Sequence, residues 1–118
     1  MRLLIAEDEE KLARDLKVTL EEAGYEVEVV HEGEAVLKAL AQDSFAALML
    51  DLVMPKCNGY EVLLALQDRH DAPPVIVMSN LAHEDDIAEA KRLGAEDYFI
   101  KAVHLPNIVN HVKAVLAY

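Results

Sequence analysis

Residues 46–63 read AALMLDLVMPKCNGYEVL, an apolar run that stops at Asp51 and gives way to a loop punctuated by Pro55 and Gly59. A short unbroken apolar run of this kind suits a strand covered on both faces, as in a parallel sheet. A carboxylate at the tip of a buried strand is costly unless something there uses its charge, because ionised groups resist leaving water. After the loop, Asn58-x-x-Glu61 has the spacing of a helix capping box, and Val62, Leu63 and Leu66 follow at helical spacing. The stretch reads as a strand, an acidic tip, a turn and a helix.

The same rhythm extends in both directions. Towards the N-terminus, Arg2–Ala6 is a short apolar run. Leu12, Leu16 and Leu20 then recur at helical spacing up to Gly24. Tyr25–Val30 alternates as a strand does, and Gly33 opens a second helix with Val36, Leu37, Leu40 and Ala41 on one face. The third strand, leading up to Asp51, is read as Phe45–Leu50. Beyond the third helix, Pro73-Pro74 is a break and Val75–Met78 a fourth strand. Residues 84–93 make a fourth helix, with acids at its start, Lys91 and Arg92 at its end and Gly94 just after, in keeping with the helix dipole. Asp97–Ile100 is a fifth strand, and Pro106 precedes a last helix carrying Ile108, Val109, Val112, Val115 and Leu116. Five strands alternating with five helices over short connections imply an α/β domain, a (βα)5 doubly wound parallel sheet with helices on both faces.

Composition narrows the function. The chain has 118 residues, 53% of them hydrophobic, which is enough for a core and is expected to form one domain over residues 1–118. Its net charge of −11 would repel phosphates, so direct nucleic-acid binding is not expected. No apolar run is long enough to span a bilayer and no signal-peptide layout opens the chain, so the expected location is cytoplasmic, away from the membrane. A single cysteine, Cys57, rules out an internal disulfide. The five histidines, His31, His70, His83, His104 and His111, lack metal-ligand spacing and read as solvated or structural.

In a parallel sheet all carboxyl ends lie on one edge, where ligands of open α/β sheets bind. Glu7 and Asp8 follow the first strand, Asp51 ends the third, Ser79 follows the fourth and Lys101 the fifth. Each alone has an ordinary explanation, such as charge at a helix start or a helix cap. Together they place three acids, a hydroxyl and an ammonium around one crevice. Three close carboxylates need a cation, and oxygen-only ligands suit Mg²⁺. An Asp carboxylate is also a nucleophile able to form an aspartyl phosphate, whose oxygens a cation and a hydroxyl would stabilise. The constellation fits metal-assisted phosphoryl transfer onto Asp51.

Four segments carry a family resemblance: LLIAEDEEKL, LMLDLVMPKCNGYEVL, VIVMSN before and at Ser79, and GAEDYFIK ending at Lys101. With them the chain resembles, over nearly its whole length, a bacterial two-component response-regulator receiver domain of the chemotaxis-regulator type. The resemblance implies a flavodoxin-like sheet of strand order 2-1-3-4-5. It implies that Asp51 accepts a phosphoryl group from a phospho-histidine on a sensor histidine kinase or histidine phosphotransfer protein. Asp8, Asp51 and the backbone carbonyl of Val53 would bind Mg²⁺, with Glu7 holding a metal-bound water. Ser79 and Lys101 would contact the phosphoryl group, and Tyr98 would be the switch aromatic that turns inward when Ser79 is drawn to the phosphate. Lys11, Leu12 and Asp15 fall where relatives meet their phosphodonor. The face formed by helix 4, strand 5 and helix 5 is where many relatives dimerise, so a homodimer through it is an expectation. Such a module is a signalling phosphoacceptor rather than an enzyme.

Two residues depart from the family pattern. Ala102 follows Lys101 where relatives carry a proline in a cis bond. Without proline, cis costs about 3–4 kcal/mol against about 0.5–1 kcal/mol, so either a trans bond with a shifted loop or a strained cis bond is expected. Asn80 follows Ser79 where a small residue is usual, and with Val53 and Leu81 it is expected to restrict the attacking water and slow dephosphorylation. These departures leave one rival, a degenerate receiver acting as an unphosphorylated protein-binding module. Other folds of this architecture fit less well. A flavodoxin-type cofactor binder would want a phosphate loop where AEDEEK stands. A haloacid-dehalogenase-type phosphatase would carry its nucleophile after strand 1, and a Toprim-like nuclease would need an acid where Val53 sits.

Overall fold

A computed structural model describes residues 1–54, 58–69, 71–80, 84–101 and 107–116. The elements are β1 (Arg2–Ala6), α1 (Glu10–Glu22), β2 (Glu26–Val30), α2 (Gly33–Gln42), β3 (Ala47–Asp51), α3 (Gly59–Leu66), β4 (Val75–Ser79), α4 (Glu84–Arg92), β5 (Asp97–Ile100) and α5 (Ile108–Leu116). The five strands form one sheet in the order β2-β1-β3-β4-β5, and every pair is parallel. The α/β class, the five parallel strands and the strand order all agree with expectation.

Alternation along the strands divides the core in two. Leu3, Ile5, Met49, Ile76, Met78 and Phe99 face α1 and α5, where they meet Leu16, Leu20, Ile108 and Val112. Leu4, Leu48, Leu50, Val75 and Val77 point the other way, onto Val36, Leu40, Val62, Leu63, Ala90 and Leu93 of the remaining helices and their ends. The sheet interior is therefore apolar on both sides, which explains why the central strands read as continuous hydrophobic runs.

The helix ends follow from local chemistry. Gly24, at φ 100°, takes the left-handed conformation that closes α1. Its N–H donates to Glu21 O, and the Tyr25 N–H donates to Leu20 O. This is the Schellman pattern, and Gly94, at φ 114°, repeats it for α4 through Lys91 O and Ala90 O. The Asn58 side chain accepts from the Glu61 N–H at 3.0 Å, so the capping residue read from the sequence starts α3.

Several boundaries differ from expectation. Strand β2 begins at Glu26, one residue late, because the Tyr25 amide is spent on the α1 cap. Strand β3 begins at Ala47, while Phe45 stacks beneath the Arg2 guanidinium, 4.9 Å from its ring centre. It extends to include Asp51, and β4 likewise includes Ser79. On α2 the core takes Ala39 with Val36 and Leu40, which leaves Ala41 exposed. The Lys101–Ala102 bond, Leu81, Cys57, Pro55, Pro106 and His70, His83 and His104 lie outside the described residues, as do the expectations placed on them.

Candidate functional site

Strand register brings the site together. Leu50 pairs with Ala6, so Asp51 lies level with Glu7, the first residue past β1. Asp51 pairs with Met78 and Ser79 with Ile100, which puts Ser79 and Lys101 one step beyond the paired residues on neighbouring strands. All of them sit on the carboxyl edge of the sheet. Among the described residues, Glu7, Asp51 and Ser79 are the buried polar ones, at 0%, 3% and 2% exposure, while Asp8 is exposed.

The charges are arranged around Lys101. Its Nζ stands 2.5 Å from Glu7 Oε1 and 3.1 Å from Asp51 Oδ2. Burial pulls the ammonium pKa down, but hydrogen bonding to Glu7 and the Asp51 and Glu7 charges outweigh it and leave it raised. The second oxygen of each acid is held by backbone: Glu7 Oε2 accepts from Glu9 N–H at 3.2 Å and Asp51 Oδ1 from Val53 N–H at 3.0 Å. Carboxylate oxygens of Glu7, Asp8 and Asp51 all lie within 4.8 Å of one another. Among the described residues, three carboxylates thus face one ammonium, which pairs with the buried Glu7 Oε1 and with Asp51 Oδ2. An all-oxygen donor set with surplus negative charge is what a hard divalent cation takes.

The loop after Asp51 folds back tightly. Gly59 N–H donates to Leu52 O at 3.0 Å, and a Cβ on Gly59 would lie 2.6 Å from both Asp51 O and Leu52 Cα. Only glycine leaves room for that approach. Val53, whose carbonyl was the expected ligand, stands beside Asp51 and is 65% exposed.

Ser79 leads to the aromatic. Tyr98 is buried and its hydroxyl hydrogen-bonds the Ser79 side chain. Burial raises its pKa, the Ser79 bond lowers it in part, and the Asp86 charge raises it again. Tyr98, the expected switch aromatic, is thus buried beside the expected phosphoryl contact Ser79.

Three polar links were not foreseen. Tyr60, on α3, lies close to Asp86 on α4, and burial followed by the Asp86 charge raises its pKa. His111 Nδ1 lies 2.6 Å from Asp97 Oδ2, tying α5 to β5. His31 Nδ1 lies 2.9 Å from the backbone oxygen of Glu7. The signal for His31 was its place immediately after β2, on the same sheet edge as the acids.

Comparison with known proteins identifies the family. Residues 3–113 match the family described as Response regulator receiver domain. The transcriptional regulatory protein CpxR of Escherichia coli is 37% identical over 115 residues, 98% of this chain and 49% of CpxR. The chain thus spans about half the length of the curated relatives it matches. Among solved structures, the receiver domain of Francisella response regulator 1452 superposes with TM-score 0.93 at 25% identity, covering 98% of this chain and 96% of that one. The response regulator TrrA of Thermotoga maritima, solved in complex with Mg²⁺-BeF, superposes with TM-score 0.86 at 27% identity over 98% of each chain.

Proposed function

The chain belongs to the response regulator receiver domain family of two-component systems, and from that premise we propose that it is a phosphorylation-dependent signalling switch whose phosphoacceptor is Asp51. The observation that carries this reading is the convergence of Asp51, Glu7, Asp8 and Lys101 at the tips of three different strands. The donor would be a phospho-histidine of a sensor kinase or phosphotransfer protein. Asp51 attacks phosphorus, an oxygen–phosphorus bond forms, and the phosphorus–nitrogen bond breaks as the imidazole leaves and takes up a proton.

Each neighbouring residue has a role in that step. Asp8, Asp51 and the Val53 carbonyl would hold Mg²⁺, with Glu7 acting through a bound water; the ion supplies charge neutralisation on the phosphoryl oxygens when bound. The surplus of carboxylate over ammonium charge supports that assignment. Lys101, now paired with Glu7 and Asp51, would turn part of its charge to the phosphoryl group. Ser79 would exchange its bond with Tyr98 for one to the phosphoryl oxygen. Phosphorylation would act by shifting a population between two arrangements of Ser79 and Tyr98. The α4–β5–α5 face would carry the output, through a homodimer or another partner. The module makes a covalent intermediate of itself and is not a turnover enzyme.

Beryllofluoride with Mg²⁺ tests the reading, since its beryllium and fluorines stand in for a phosphoryl group. Backbone amide resonances of Asp51, Ser79, Tyr98 and Lys101 are expected to shift in the wild type and not in Asp51→Asn. Unmoved wild-type resonances would favour the rival, an unphosphorylated binding module.

A further inference from the structure

His31 is used by none of the steps above. The Glu7 N–H donates to Val30 O at 3.0 Å, the last rung between the first two strands, and one residue further on His31 Nδ1 reaches the Glu7 carbonyl oxygen at 2.9 Å. A carbonyl oxygen only accepts, so Nδ1 carries the proton and the ring is a donor. That carbonyl belongs to the peptide joining Glu7 to Asp8, the two acids contributed by the first strand's tip. Both sides of the Glu7 α-carbon are therefore tied to the β2 end.

The consequence falls on Asp8. Glu7 is fixed by its own side chain, through Lys101 and the Glu9 amide. Asp8 is exposed, and among the described residues none donates a hydrogen bond or ion pair to its carboxylate. Its oxygen nevertheless lies within 4.8 Å of ligand atoms on Glu7 and Asp51. What holds it there is backbone, and the peptide leading into it is anchored by the imidazole. We propose that His31 is a positioning residue of the acid cluster: its Nδ1–H bond fixes the Glu7–Asp8 peptide and so preorganises Asp8 opposite Asp51 for a divalent cation. The proposal rests on reading the cluster as a cation site.

Residues that orient ligands from behind change metal affinity by about 10–100-fold when lost. The His31 bond is only partly buried, and water can replace some of it, so the lower end applies. The test is calorimetric titration of Mg²⁺ into the whole chain at one mildly alkaline pH, for wild type, His31→Ala, His31→Asn and Asp8→Asn. Binding is expected to weaken about tenfold in His31→Ala. His31→Asn keeps an N–H donor near the ring position and should recover most of the affinity, while Asp8→Asn should lose it. Before metal is added, the Asp8 amide resonance should move in His31→Ala and return in His31→Asn. Wild-type affinity in His31→Ala, or equal weakening in both His31 variants, would overturn the proposal alone. Failure of the wild type to bind Mg²⁺ would overturn the cation site and the proposal with it.

Discussion

The ammonium of Lys101 stands 2.5 Å from Glu7 Oε1 and 3.1 Å from Asp51 Oδ2, so one cation joins two carboxylates that are almost wholly buried. Removing it leaves both charges without their counter-ion. Lys101→Met should destabilise the metal-free protein by about 3 kcal/mol, the low end for breaking a buried pair, because the lysine side chain keeps 14% of its surface. Urea denaturation in chelator measures this. Mg²⁺ should restore part of the loss by taking over the carboxylates. A variant as stable as wild type in chelator would contradict the pairing.

Alkaline pH probes the same edge of the sheet. Lys101 is raised above its ordinary 10.5, with the bonds to Glu7 and Asp51 overcoming burial, and Tyr98 is raised above 10.0 chiefly by burial. Groups raised on folding contribute stability that is complete below their unfolded values and lost as pH climbs through the folded ones. The urea midpoint should therefore hold steady below about pH 10 and fall above it. Tyr98→Phe should make the fall shallower. A midpoint that rises above that pH would have the wrong sign.

Gly59 sets the path of the loop behind Asp51. A methyl group there would meet the backbone of Asp51 and Leu52 at 2.6 Å, and backbone cannot swing aside as a side chain can. Gly59→Ala should cost about 3 kcal/mol, at the upper end for overpacking, and should slow phosphorylation by displacing Asp51. Equilibrium unfolding with an acetyl phosphate time course checks both. A neutral substitution would mean that the loop yields easily.

Asn80 is exposed and immediately follows Ser79, next in the chain to the proposed phosphoryl site. If it restricts the attacking water, Asn80→Ala should shorten the lifetime of the acyl phosphate severalfold. Decay of the phosphorylated protein after removal of donor measures it. An unchanged lifetime would assign the rate to other residues.

The fold was legible because its central strands are buried on both faces and leave unbroken apolar runs, as in LMLD before the loop. Gly24, Gly94 and the Asn58-x-x-Glu61 spacing marked helix ends through chemistry that acts within a few residues. Boundaries shifted where a distant partner decided them: Tyr25 spends its amide on α1, and Phe45 packs on Arg2. The acids and Lys101 could be placed on one edge from strand direction alone. What no spacing could show was which oxygen faces which donor. The Lys101–Glu7 pair, the His31 bond to the Glu7 backbone and the Tyr60–Asp86 link all join residues far apart in the chain.

The identity of Asp51 as the phosphoacceptor is tested most directly by intact-mass spectrometry after incubation with acetyl phosphate and Mg²⁺. The expected result is a gain of about 80 Da, one phosphoryl group, in the wild type and none in Asp51→Asn or in excess chelator. No gain in the wild type, or the same gain in Asp51→Asn, would contradict it.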